Sequence, residues 1–386
     1  MTSEVLPQRE RCPHKVYVML GFHTSFYHSW RGDTPDEAGF GTDIRMAREI
    51  LKMLQEARSQ GLQARGYWDI DVYWTLEKII SVHAPDIIEG IRQRVQGGLD
   101  EVLPISYNNG ANHAATEEEF RAALAYALEN PAGSGLKQVF GQVAPVYRPQ
   151  EGMYTAGQNG ILRELGFAGM ISYYATVSFN CLSTFIPPLP PEHRYNPFWL
   201  RSVPEEEPIV LFPCISPPDL LNYTSLEMWM LHLRQLQTSG RVNCDLLLHL
   251  NFDGDVETWE PAKMPKALRW FPNIGGLVEY IQAVNKYPWA EFTVPSECLR
   301  THPPQAEVLV RQDLADGAYD GNYSWAEKSS SLRTWSTLEH SRLHSYRAMA
   351  LSLGLPQELA DPIERRLWQG TDSSFFQRLV GLSTTH

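Results

Sequence analysis

What this chain lacks narrows its role before any motif is read. No stretch of it is long and apolar enough to span a bilayer, and the polar start from Met1 to Arg11 has no apolar signal segment. The expectation is therefore a soluble cytoplasmic protein with no membrane partner. Excess positive charge is missing too: 33 Lys and Arg stand against 45 Asp and Glu, a formal charge of -12. Nucleic acids and anionic surfaces bind clustered cations, so neither is an expected partner. The five cysteines, Cys12, Cys181, Cys214, Cys244 and Cys298, have no paired spacing and suggest neither a disulfide framework nor a zinc knuckle. Internal repeats and low-complexity tracts are also absent.

What is present is an alternation of apolar runs and amphipathic stripes. Val16 to Phe22 reads as a buried strand ending at His23, and Thr42 to Gln60 as a helix with an Ile44, Ala47, Ile50, Leu51, Leu54 stripe. Pro85 to Gln96 and Glu117 to Leu128 read as further helices, with a strand from Leu99 to Ile105 between them. The order continues through a helical run from Gly157 to Leu165, strands at Ala168–Ser172 and Ile209–Phe212, a helix from Leu226 to Gln237 and a strand from Asp245 to Phe252. Strand-helix alternation over this length predicts a parallel barrel. Residues 183–208 are rich in proline and aromatics and read as a long ordered loop near the active face. After Pro295 the alternation is expected to give way to helices, giving a barrel domain over 1–294 and a helical domain over 295–386.

Two carboxylate clusters follow strand-like segments. Tyr147-Arg148-Pro149-Gln150-Glu151 leads into the Gly157 helix, and Leu246 to Phe252 delivers Asp253-Gly254-Asp255. Paired acids at the ends of separate strands are the equipment of glycosidic bond cleavage. In that reading Glu151 attacks as nucleophile and Asp253 serves as acid and base, with Tyr154 orienting the carboxylate. The competing readings are a surface acid for Glu151 and a hard-cation site for the Asp253–Asp255 cluster, which lacks the further spaced oxygens of a calcium loop. His23, His28 and Trp30 in the first strand-end loop could form a sugar-binding wall, aromatic faces stacking on pyranose rings while imidazoles meet hydroxyls. Trp68, Asp69, Asp71 and Trp74 make a second such segment, or a helix start capped by Asp69. Asp255 and the loop from Asn108 to His113 are further candidates.

These residues carry a resemblance. From Val16 to about Leu382 the chain resembles the catalytic barrel and helical domain of glycoside hydrolase family 38, the retaining α-mannosidases, and its acid motifs resemble those of family 57, the retaining α-glucan enzymes. The likeness to family 57 rests on His23, on Glu151 at the nucleophile position and on Asp253 in an Asp-Gly-acid motif. The likeness to family 38 rests on the order from Gly66 to Gly98, the Glu101 segment and Gly321-Asn322-Tyr323-Ser324-Trp325-Ala326-Glu327-Lys328. Both imply an incomplete (β/α)7 barrel followed by a smaller helical bundle, and a retaining α-glycosidase or transglycosylase acting on carbohydrate. Family 38 places a zinc site at a first-loop His-x-Asp pair, which here falls on Ser25 and Tyr27, with only Thr385-His386 resembling the late ligand. No metal or other cofactor is therefore expected; a zinc-assisted α-mannosidase is the runner-up. The His-x-x-x-His pair of a polysaccharide deacetylase is missing. From another class, a catalytically silent carbohydrate-binding or assembly module would keep the same barrel, and homo-oligomerisation stays open.

Overall fold

A computed structural model describes residues 12–26, 40–108, 110, 115–173, 188–204, 206–215, 225–254, 259–261, 275–310, 333 and 336–344. Ten strands are found among them: β1 (Val16–Thr24), β2 (Gly66–Ile70), β3 (Asp100–Pro104), β4 (Val146–Tyr147), β5 (Gly169–Tyr173), β6 (Phe198–Arg201), β7 (Ile209–Cys214), β8 (Leu246–Asp253), β9 (Ala290–Phe292) and β10 (Glu307–Leu309). Two five-stranded sheets result, ordered β3-β2-β1-β8 with β9 on β1, and β10-β6-β7-β5-β4.

Backbone bonds at two seams join the sheets. Ala144 and Arg148 donate to the carbonyls of Val102 and Pro104 at 2.9 and 3.1 Å, tying β4 to β3. At the other seam Ile215 bridges Leu250 in parallel, tying β7 to β8. The ring β1-β2-β3-β4-β5-β7-β8 is thus a closed parallel barrel of seven strands, with all strand C-termini at one end, the mouth.

Strand periodicity divides the side chains into two sets. Inward residues such as Met19, Leu103, Val146, Ile171, Phe212 and Leu247 form the barrel interior. Outward residues face the helices in two larger clusters, one built around β1, β2 and β8 and the other around β5, β6 and β7. Gly21 faces inward, and a Cβ there would lie 2.3 Å from the Tyr67 ring and 2.5 Å from Asn251 Nδ2. Only glycine leaves room for the two side chains that cross the barrel at this height.

The helices match the sequence stripes closely. Pro85–Gln96 and Glu117–Leu128 have the expected bounds, the second begun by a capping box between Thr116 and Glu119. Gly41–Ser59 and Leu226–Thr238 differ from expectation by a residue at an end.

Three expectations are corrected. Asp69 is not a cap: it lies within β2, and Asp71 caps the π-helical turn Val72–Ile80 by accepting from the backbone N–H groups of Trp74 and Thr75. The segment expected as a loop at the active face contains β6, which pairs antiparallel with β7, while Tyr195 just before it accepts from the Leu247 amide on β8 at 2.7 Å. It wedges open the β7–β8 seam at the N-terminal end because its apolar residues Phe198 and Leu200 are buried against the outer cluster. Nor does alternation stop at Pro295. The helix Pro295–Thr301 sends Cys298 into the barrel interior, and β10 pairs with β6, so residues 295–310 pack with the barrel. Most of the expected helical domain lies outside the described residues; within it, residues 336–344 are helical, and Arg342 donates to Glu119 at 2.6 Å.

Candidate functional site

The site is built where the inward residues change from apolar to polar. The parallel register sets His23 on β1 beside Asp69 on β2 and beside Asp253 on β8, and Gly21 beside Asn251. Paired residues in parallel strands point to the same face. His23, Asp69, Asn251 and Asp253 therefore share the inner face at the mouth, and Arg148 joins them from the end of β4.

Their hydrogen bonds form one connected chain. His23 Nδ1 meets Asp69 Oδ1 in a short contact, donating because an ionised carboxylate only accepts. Asn251 Nδ2 donates to Asp69 Oδ2 at 2.7 Å and to the Tyr67 hydroxyl oxygen at 3.0 Å. The Asn251 amide cannot be turned over, since its Oδ1 accepts from Arg148 Nε at 3.3 Å and arginine only donates. Tyr67, already accepting, passes its own proton to His249 Nε2 at 2.7 Å. Arg148 further donates to the Pro149 carbonyl at 3.0 Å and to the Tyr173 hydroxyl at 3.0 Å, with Gln150 Oε1 at 3.5 Å.

Burial gives this chain its electrostatic character. Asp69 is fully buried, which alone would raise its carboxyl; its contact with His23, then those with Arg148 and Asn251, outweigh burial and hold it below its usual value. Burial pushes His249 down to about 3, so it is neutral and able to accept from Tyr67. Tyr67 is raised well above its ordinary value, first by burial and then by Asp69.

The acids sit above this floor. Asp253 ends β8 with its side chain exposed, and its carbonyl accepts from Trp259 Nε1 at 2.7 Å. Glu151 lies in the single helical turn Gln150–Gly152 directly after β4, and Ser172 on β5 donates to the Gly152 carbonyl at 3.3 Å. Both residues lie at or just past the C-terminal ends of their strands. They lie on opposite arcs of the ring, and Arg148 and Asn251, three residues before Glu151 and two before Asp253, touch across the barrel.

Other expected site residues are dispersed by strand alternation. Trp68, expected to stack on sugar, points outward instead: it is fully buried among the helices beside Phe22 and donates to Asp100 at 2.9 Å. Tyr154, expected to orient the Glu151 carboxylate, is buried in the outer cluster with Tyr147 and Phe198, its hydroxyl raised by burial in a setting of Ser202, Glu206 and Asn159. Asp71, expected among the sugar contacts, is buried and caps a helix, accepting also from Thr75 and, at 3.4 Å, from Ser25. Trp74 is half-buried at the mouth end, edge-on to Tyr73 at 4.9 Å. His28, Trp30, Asp255, Asn109, Asn112 and His113 lie outside the described residues. Sequence reading missed Arg148, Asn251, Tyr67, His249 and Tyr173; the one signal was polar residues interrupting apolar strands, as in Leu248-His249-Leu250-Asn251.

Among the described residues no three His, Cys, Asp or Glu side chains are grouped to hold a metal ion. None of the described helices is long and apolar enough to cross a membrane.

No protein-family model matches the chain, and no curated protein sequence does. Solved structures do share the fold. The chain is similar to a family 57 branching enzyme from Thermococcus kodakaraensis, with a TM-score of 0.69 and 12% identity over 96% of this chain and 86% of that one. It is also similar to the α-amylase AmyC from Thermotoga maritima, with a TM-score of 0.59 and 11% identity over 94% and 88% of the two chains. A 4-α-glucanotransferase from Thermococcus litoralis gives a TM-score of 0.56 and 16% identity over 86% of this chain, which spans about half (47%) of that enzyme's length. The chain shares its barrel fold with these enzymes.

Proposed function

We propose that the protein is a retaining α-glycosidase or transglycosylase acting on an α-linked carbohydrate, with Glu151 as nucleophile and Asp253 as acid and base. The observation that supports this most directly is that Glu151 follows β4 and Asp253 ends β8, while the side chains of Arg148 and Asn251, shortly before them in the chain, meet at 3.3 Å. A covalent double displacement needs two carboxyl groups facing one anomeric centre. Arg148, three residues before Glu151 in the chain, is buried. Asp253, exposed, can exchange its proton with solvent between the two half-reactions. Trp74, half-buried at the same end, supplies an aromatic face for a neutral sugar ring. The relatives in fold, named as branching enzyme, amylase and glucanotransferase, agree with a glucan substrate. We further propose that the chain beyond residue 310 forms a mainly helical domain.

The test is turnover of aryl α-glucosides, aryl α-mannosides and short α-glucans, with and without chelator, by the wild type and by Glu151→Gln. Turnover that survives chelation and is lost in Glu151→Gln supports the reading. Full activity in the variant, or complete loss on chelation, overturns it.

One observation favours a second reading, a carbohydrate-binding module without catalysis. The side chain that the turn after β4 places beside Arg148 is the amide of Gln150, 2% exposed, which cannot attack an anomeric carbon. Saturable glucan binding with no turnover in the wild type would select it.

A further inference from the structure

Asp69 has two buried neighbours that can donate to it, His23 and Arg148, and serves them unequally. Its Oδ1 is in short contact with His23 Nδ1, while Arg148 Nε stands 3.7 Å from the same oxygen and is bonded instead to Asn251 Oδ1 at 3.3 Å. Guanidinium and carboxylate favour a planar two-bond pair when nothing separates them. Here Asn251 does separate them: its oxygen occupies Arg148 and its amide hydrogens occupy Asp69 Oδ2 and Tyr67.

We propose that Asn251 is a positioning residue whose spacing of Arg148 from Asp69 commits the carboxylate to His23. The imidazole is thereby held in the Nδ1–H form with Nε2 presented at the mouth to accept a hydrogen bond from a hydroxyl of a neutral sugar. Nε2 has no partner among the described residues, and the His23 side chain keeps 8% of its surface open. Asn251 gives a hydrogen to Tyr67, whose hydroxyl also meets His249 Nε2 at 2.7 Å, and His249 is buried and neutral. Among the described residues, the charged groups facing His23 are Asp69 from β2 and Asp253 from β8, with Arg148 from β4 behind Asp69.

The sugar contact rests on the function proposed above, whereas the tautomer can be read on the resting protein and fails or survives independently. The full chain, labelled with 15N at histidine, is examined by long-range ring 1H–15N correlation, with His23 assigned from the spectrum of His23→Gln. In the wild type His23 should be the Nδ1–H tautomer. In Asn251→Ala, Arg148 should close on Asp69 and His23 should revert to Nε2–H. kcat/KM on a neutral α-glycoside should fall about 10- to 100-fold. The double variant Asn251→Ala/Arg148→Met removes the competitor and should restore the Nδ1–H form, which a merely structural role for Asn251 does not explain. If Asn251→Ala fails to fold, Asn251→Leu, which keeps the volume and has neither donor nor acceptor, is read in the same way. An Nε2–H tautomer in the wild type, or an unchanged tautomer in the folded single variant, overturns the proposal. Loss of turnover without a tautomer change assigns Asn251 to packing alone and also overturns it.

Discussion

At the N-terminal end of the barrel the inward side chains of β1, β8 and β5 are Met19, Leu247 and Ile171, whereas a few residues further along the same strands they are His23, Asn251 and Tyr173. The lower end is closed by apolar packing. β6 and β9 pair into it, Cys298 fills it from below, and His302 lies edge-on to Tyr17 at 4.7 Å. The upper end is held by donors and acceptors that leave one another little freedom. Apolar packing is non-directional and tolerates repacking, but a buried hydrogen-bond chain fixes orientation and fails when one member is removed. The barrel thus separates its two tasks, with stability concentrated in the base and geometry in the mouth.

Four experiments can break or sharpen that contrast. The largest effect is expected at the mouth: Glu151→Gln should lower turnover of an activated α-glycoside by about 10³-fold or more, roughly 4 kcal/mol, with a melting temperature close to the wild type's. Steady-state kinetics beside thermal unfolding checks it. In the base, Leu247→Ala should do the opposite, costing about 2–5 kcal/mol of stability in denaturant unfolding while kcat per folded molecule changes less than about twofold.

Asp253→Asn should separate substrates by leaving group. An acid is needed only where the departing oxygen is basic, so alkyl α-glycosides should slow by about 10²-fold and nitrophenyl glycosides far less. Equal losses on both would remove Asp253 from the acid role.

The smallest effect, taken per pH unit, is a slope in stability with pH. His249 has its folded pKa pushed down to about 3 from an ordinary 6.5, so below pH 6.5 the unfolded chain binds a proton that the folded one refuses. Stability should therefore fall as pH drops from about 6.5 to about 3, by roughly 1.4 kcal/mol per pH unit at the steepest. Asp69 acts lower on the scale: its ionised form favours the folded state above the ordinary value of 3.8, and that contribution is lost as pH falls through the lowered folded value. His249→Gln, which keeps an acceptor for Tyr67, should flatten the slope between pH 4 and 6 in urea titrations; an unchanged slope would show that His249 does not set it.

The sequence by itself determined the local elements and the positions of the two acids along the chain. Pro85–Gln96 and Glu117–Leu128 could be bounded by residue because Pro85, the Thr116–Glu119 box and Asn130-Pro131 act within a few residues. Glu151 and Asp253 could be placed after strands because apolar runs lead into both. Only the tertiary structure decided which strand residues face the barrel. Parallel strands are buried on both sides, so Val16 to Phe22 carries no polar alternation and Leu246 to Phe252 is broken only by His249 and Asn251, and most inner and outer positions look alike in sequence. Register resolved them, turning Trp68 outward and Asp69 inward one residue apart. The seams filled by β6, β9 and β10 were equally hidden, since these three- and four-residue strands gain their stability from neighbours far away in sequence. So was the chain from His23 through Asp69 and Asn251 to Arg148: its members are 46 to 182 residues apart in the pairs that touch, and no local pattern can specify contacts that exist only once the sheet has closed on itself.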